Sequence, residues 1–158
     1  MQTIEKFAVL DLPVHLHSDY PSWLEQRLSQ HDGTHVVTLN AEMAILAQKN
    51  AELAAVVRGA DVVVPDGSGV VLFVRSQGKK VDRCPGIELA ESLIKSASQQ
   101  GWRVFLIGGG IGVVENVAAT WQERLSGLKI VGLHDGYFDS MQEQTICEQL
   151  QTTQPDLV

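Results

Sequence analysis

One short loop combines a carboxylate with residues that favour turns. Asp66 and Gly67 lie in the stretch 65–69, Pro-Asp-Gly-Ser-Gly, which directly follows the predicted strand 61–64. An aspartate at the end of a strand can face a cavity and accept a proton from a hydroxyl group within hydrogen-bond reach. It can equally close a turn or cap the next helix, and the loop alone leaves both interpretations open. Asp66 is therefore a candidate general base.

Two other loops carry groups that suit a polar or anionic ligand. Thr38 and Asn40 bring a hydroxyl and an amide to the end of a predicted strand, although Asn40 is also an ordinary helix cap. Arg83 stands just before a predicted helix, and its permanent charge and forked donors suit an anionic oxygen. A solvated surface arginine is the alternative. We treat these three residues as candidates for substrate binding.

A glycine-rich loop follows a later predicted strand. Gly108, Gly109 and Gly110 begin the run 108–112, Gly-Gly-Gly-Ile-Gly, and their missing side chains let backbone N–H groups approach a phosphate at a helix N-terminus. A tight turn with close helix packing is the alternative. The run is a poor dinucleotide fingerprint, because Val113 occupies the position of its last glycine. No Gly-Lys-Ser/Thr phosphate loop occurs, which disfavours ATP or GTP hydrolysis.

Metal and thiol chemistry find little support in the sequence. The chain contains no Asp-x-Asp pair, the usual carboxylate cradle for a nucleotide-bound divalent ion, and we predict neither a metal site nor a cofactor. Two cysteines, Cys84 and Cys147, can form neither a disulfide framework nor a four-thiolate site. Reduced thiols in a cytoplasmic protein are the simpler interpretation.

The elements that would position these loops alternate along the chain. Predicted strands lie at 34–39, 61–64, 102–107 and 128–133, and predicted helices at 68–75, 86–98, 113–125 and 141–150. An extended segment around 7–14 opens the chain, and Asn40 and Asn50 each start a helical stretch. Such alternation predicts an α/β fold: a doubly wound, mostly parallel, Rossmann-like sheet with helices on both faces.

Composition limits the partners. A chain of 158 residues with 44% hydrophobic and 20% charged residues is typical of a globular protein. The net charge of -7 and pI near 5.1 argue against general binding to nucleic acid. The longest apolar runs fall far short of the ~20 residues of a membrane-spanning helix, and residues 1–13 show no secretory signal.

The last residues suggest an incomplete chain. We read residues 1–158 as one α/β domain that stops in an apolar strand pattern, Pro155-Asp156-Leu157-Val158, with its C-terminal part missing. An unpaired strand edge invites pairing with another chain. We therefore expect marginal stability or association into a homo-oligomer.

Taken together and in order, these loops resemble a known family. The motifs are Thr38-x-Asn40, Asp66-Gly67-x-Gly69, Arg83-x-x-Gly86-x-Glu88, Gly108-Gly109-x-x-Gly112 and Gly132-x-x-x-Gly136-Tyr137-Phe138. They resemble the WecG/TagA/CpsF family of bacterial glycosyltransferases over nearly the whole chain. The resemblance implies transfer of N-acetylmannosamine or its uronic acid from a UDP donor to a polyprenyl-diphosphate-linked acceptor sugar in cell-surface polymer synthesis. It also implies a cytoplasmic enzyme at the inner face of the membrane.

The resemblance gives the loops roles. It marks Asp66 as the catalytic base, places Thr38, Asn40 and Arg83 in one pocket, and adds Gly136 and Tyr137 to the substrate-binding set. With no Asp-x-Asp pair, we expect metal-independent, inverting, single-displacement transfer. A non-catalytic Rossmann-like nucleotide-binding module is the main alternative, in which Asp66 only caps a helix. An NAD-dependent oxidoreductase is a weaker one.

Overall fold

The computed structural model describes residues 4–158 and shows an α/β protein, as predicted. Its strands are β1 (Glu5–Val9), β2 (Leu12–Leu16), β3 (Val36–Leu39), β4 (Val62–Pro65), β5 (Arg103–Ile107) and β6 (Lys129–His134). Its helices are α1 (Tyr20–Ser29), α2 (Ala41–Ala47), α3 (Ala51–Gly59), α4 (Ser68–Ser76), α5 (Gly86–Gln100), α6 (Val113–Arg124) and α7 (Ser140–Thr153). The chain forms two compact units, Met1–Ala90 and Glu91–Val158. The prediction of a single domain stays a prediction.

The first unit opens with a hairpin rather than one extended segment. Strands β1 and β2 pair antiparallel, with Phe7 opposite Val14. Leu10 and Asp11 form the turn with φ of 49° and 62°. Consecutive positive φ values are typical of a hairpin turn that usually contains asparagine or glycine. The prediction of an unbroken segment was wrong because neither residue signals such a turn.

Strands β3 and β4 form the parallel pair of the first unit. Thr38 lies opposite Val64, and Leu39 lies opposite Pro65, so the two strands end at the same level. The apolar runs of both strands belong to a core in which Leu39 and Val63 are completely buried. The side chain of Asn40 accepts the N–H of Met43 and caps α2, as predicted. Aligned strand ends therefore bring the following loops to one edge.

The second unit contains the parallel pair β5 and β6. Phe105 is completely buried, and a Cβ on its partner Gly132 would overlap the Phe105 ring. Glycine is thus required here for the ring to fill the core. Near the end of the chain, Leu157 forms an isolated parallel bridge with Val104. The extended pattern predicted for residues 155–158 therefore makes one bridge beside β5.

The remaining predicted helices agree with the structure to within a few residues. Pro21 lies in the first turn of α1, whose cap is the side chain of Asp19. Asp139 and Gln142 form a reciprocal capping box at the start of α7. Across residues 4–158, no helix combines the length and apolarity needed to cross a bilayer.

Candidate functional site

The backbone after β4 is fixed to the end of β3. Both Asp66 and Gly67 donate their N–H groups to the carbonyl oxygen of Leu39, at 3.0 and 3.3 Å. The backbone of Asp66 is therefore held at the carboxyl end of the parallel pair, where loops of α/β proteins bind ligands. These two hydrogen bonds to the buried Leu39 fix the backbone position from which the Asp66 carboxylate extends.

Arg83 contacts Asp66 through both backbone and side chain. Its Nε donates to the Asp66 carbonyl oxygen at 2.6 Å, and its Nη2 lies 3.9 Å from the carboxylate Oδ1. The Asp66 side chain is 27% exposed and that of Arg83 is 56% exposed. A carboxylate that is partly covered yet open to solvent can meet a substrate hydroxyl.

Close backbone approaches bring Thr38 and Asn40 to the same edge. A Cβ on Gly67 would lie 3.0 Å from the Cα of Asn40. A Cβ on Gly86, the first residue of α5, would lie 2.9 Å from the Thr38 side-chain methyl. Only glycine fits at either contact without a shift. The first unit thus gathers Thr38, Asn40, Asp66 and Gly67, with Arg83 over Asp66.

The helix starts fall into two kinds. Side chains cap α1, α2, α3 and α7, whereas α4 and α6 begin after Gly67 and Gly112 with no side-chain cap bond. The first N–H groups of an uncapped helix point outward with the positive end of the helix dipole. Both uncapped helices follow loops that were predicted to bind ligand, and each can receive an anionic oxygen.

The glycine loop of the second unit rests against the loop after β6. Gly136 donates its N–H to the Gly109 carbonyl oxygen at 2.8 Å, and Gly108 donates to that of His134 at 3.0 Å. Gly108 and Gly109 have φ of 146° and 73°, which side chains rarely adopt. The loop therefore presents backbone rather than side-chain groups.

The other two predicted residues of the second unit lie at the surface of these loops. Tyr137 is 80% exposed, and its N–H donates to the Asp135 carboxylate at 2.8 Å. A Cβ on Gly110 would meet no atom within 4 Å. The Tyr137 side chain is thus accessible to a ligand, whereas the Gly110 carbonyl oxygen accepts the Val113 N–H at 3.0 Å at the start of α6.

Cys84 is not built as a nucleophile. Burial first, and then the charges of Asp66 and Glu88, raise the pKa of its thiol to about 11. Its N–H donates to the Pro65 carbonyl oxygen at 2.9 Å, so the residue fastens the 83–86 loop beside β4. No group of three or more His, Cys, Asp and Glu side chains within residues 4–158 is arranged to hold a metal ion.

Sequence reasoning missed two supports of the first-unit site. The Leu39 carbonyl oxygen, which holds Asp66 and Gly67, is a backbone group that residue type cannot reveal. The contact between Gly86 and Thr38 was not predicted, although Gly86 stands in the motif Arg83-x-x-Gly86-x-Glu88. Gly86 belongs to the site as packing rather than as a ligand group.

Comparison with known proteins identifies the family of the chain. The sequence model of the glycosyl transferase WecG/TagA/CpsF family matches residues 7–158. A relative from Bacillus spizizenii, named N-acetylglucosaminyldiphosphoundecaprenol N-acetyl-beta-D-mannosaminyltransferase, is 33% identical over 132 residues, which cover 83% of this chain and 51% of the relative. The chain thus spans about half the length of that curated relative. Since the family match includes nearly every residue and all the loops described above, the chain belongs to the WecG/TagA/CpsF family of glycosyl transferases.

Proposed function

We propose that this protein transfers N-acetylmannosamine or a closely related sugar from a UDP donor to a polyprenyl-diphosphate-linked N-acetylglucosamine. Family membership supports the reaction class, and the name of the Bacillus relative supports the acceptor and the transferred sugar. The product would enter cell-surface polymer synthesis. Because the acceptor is anchored in lipid, we place the protein at the inner face of the membrane, as a peripheral protein.

The position of Asp66 carries the proposal. Its backbone is fixed to the Leu39 carbonyl oxygen, and its half-buried carboxylate stands 3.9 Å from the Arg83 guanidinium. In our mechanism, the carboxylate takes the proton of an acceptor hydroxyl as that oxygen attacks the anomeric carbon. The bond between this carbon and the UDP oxygen breaks in the same displacement, so the anomeric configuration inverts.

Negative charge on the departing diphosphate must be stabilised. In the first unit, Arg83 and the uncapped start of α4 supply a fixed cation and outward N–H groups. We therefore propose that transfer needs no divalent cation, and UDP-sugar acts as substrate rather than cofactor.

The test is a transfer assay with a purified protein that carries this chain. UDP-N-acetylmannosamine and a short-chain prenyl-diphospho-N-acetylglucosamine are incubated with it, and products are separated by chromatography. We expect a disaccharide lipid with inverted anomeric configuration by NMR and equal turnover with and without EDTA. UDP binding without any product would instead favour the nucleotide-binding module. A requirement for added Mg²⁺ or Mn²⁺ would overturn the metal-independent mechanism.

A further inference from the structure

A cleft in the first unit is lined by cations that have no role in the proposed chemistry. It encloses about 580 Å³, and its lining includes Arg75, Lys79 and Lys80 together with His17. A cleft of this size suits a small ligand. Three cations against two carboxylates, Glu5 and Asp82, leave the cleft weakly positive on a chain whose net charge is -7.

The carboxylates of the cleft pair with two of these cations. Lys79 Nζ lies 2.6 Å from Glu5, and Arg75 Nη2 lies 3.1 Å from Asp82. Both ion pairs are largely exposed, so each is weak and can be displaced by a stronger anion. Lys80 makes no ion pair with any residue in 4–158, and its charge remains available to a ligand.

The cleft wall is anchored, and one loop contributes to the cleft and contacts Asp66. Arg75 Nε donates to the Val81 carbonyl oxygen at 2.9 Å, which ties the end of α4 to this wall. Asp82 lines the cleft, and the next residue, Arg83, donates to the Asp66 carbonyl oxygen at 2.6 Å. Two adjacent residues of the same loop thus lie at the cleft and at Asp66.

We propose that this cleft binds the diphosphate of the lipid-linked acceptor, through Lys80, Lys79 and Arg75. The inference rests on the proposed function, in which the acceptor hydroxyl meets Asp66. In such an acceptor, the diphosphate is attached to the same sugar that bears the attacking hydroxyl, so the two groups are separated by one sugar ring. A diphosphate also carries enough charge to compete with Glu5 and Asp82 for their cations.

Binding of geranyl diphosphate, measured by calorimetry in the presence of saturating UDP, tests the assignment. Occupying the donor site with UDP removes that site from the titration. We expect Lys80→Gln to weaken geranyl diphosphate and inorganic diphosphate by about fivefold, an effect that shrinks at high salt. Lys49→Gln makes the same charge change on another exposed lysine of the first unit and should leave both affinities unchanged.

A variant that binds more tightly provides a control for misfolding. Asp82→Asn removes a competing carboxylate and should strengthen binding of both diphosphates, a result that partial unfolding cannot produce. Equal weakening by Lys80→Gln and Lys49→Gln, or no gain with Asp82→Asn, would overturn the assignment. The assignment would also be overturned if Lys80→Gln weakened UDP binding as much as geranyl diphosphate binding, because the cleft would then bind the donor. Failure of the proposed function gives a different result, namely no transfer while diphosphate still binds in the cleft.

Discussion

The two parallel strand pairs end in loops of opposite character. After β3 and β4, the groups predicted to bind ligand are side chains: a carboxylate, a guanidinium, a hydroxyl and an amide, carried by Asp66, Arg83, Thr38 and Asn40. After β5, the loop that meets Gly136 is almost all glycine, with positive φ at Gly108, Gly109 and Gly112.

This difference separates two kinds of chemistry. Proton transfer needs a titratable group at a fixed point, and the first unit provides one. Holding a phosphate needs several N–H donors with no side chain in the way, and the second unit provides those. Glycine serves both units, but it makes room for side chains in the first and exposes backbone in the second.

The largest stability effect should come from the first unit. Gly86→Ala would place a Cβ 2.9 Å from the Thr38 methyl group, and such overpacking costs about 1–3 kcal/mol. We expect a lower free energy of unfolding in urea and weaker transfer, because Thr38 must move. Gly33→Ala is the control, since its Cβ would meet no atom within 4 Å. Equal stability of the two variants would show that the Gly86 contact is not tight.

A smaller loss of stability is expected from a substitution in the second unit. Gly109 has φ of 73°, and its Cβ would lie 2.9 Å from Val113, so Gly109→Ala should cost about 1–2 kcal/mol through strain. Gly110→Ala lies next to it, lacks a positive φ and meets no atom within 4 Å. Thermal unfolding should therefore separate these neighbours. If Gly110→Ala destabilised the protein as much, loop strain would not explain the glycine at position 109.

The smallest expected effect is on the pH dependence of stability. It comes from His15, a titratable residue that is buried in the first unit away from the candidate site. Its Nδ1 accepts the Val63 N–H at 2.9 Å, so the ring must be neutral there, and Nε2 has no partner within residues 4–158. Burial, and then the charge of Lys6, lower the pKa of His15 below 6.5, against the opposing charge of Asp61.

The sign of the pH effect follows from that lowered pKa. Below about pH 6.5 the unfolded chain binds a proton more readily than the folded one, so the free energy of unfolding falls as the pH decreases from 7 to 5. His15→Asn keeps an acceptor for the Val63 N–H without a titrating ring. Urea unfolding at pH 7 and pH 5 should show a smaller pH dependence in this variant. An unchanged dependence would assign the effect to other groups.

Sequence patterns predicted the helices and parallel strands well because local residues mark where each of them begins. Asn40 and Asn50 cap α2 and α3 as expected, and both parallel pairs follow from short apolar runs. The opening hairpin was missed because Leu10 and Asp11 turn the chain without a glycine. Such a turn is imposed by strand pairing and packing rather than by local preference.

The site was predictable where side chains act, and less so where backbone or distant residues act. Asp66 and Arg83 were singled out by type and position, and the structure places them in contact. No sequence motif includes Lys79 or Lys80, since their cleft is formed with Glu5, which lies far away in sequence. Contacts between residues so far apart in sequence leave no pattern in any short stretch of the chain.

The central claim is that Asp66 is the base, and comparing turnover with donor affinity tests it most directly. Asp66→Asn keeps the shape of the side chain and removes its proton acceptor, which should lower kcat by about 10²–10⁴-fold. UDP affinity, measured by calorimetry on the same sample, should stay within a few-fold of the unmodified protein. Asp11→Asn makes the same change in the exposed hairpin turn, where asparagine tolerates positive φ, and should alter neither quantity. Near-normal kcat in Asp66→Asn at saturating donor would contradict the account.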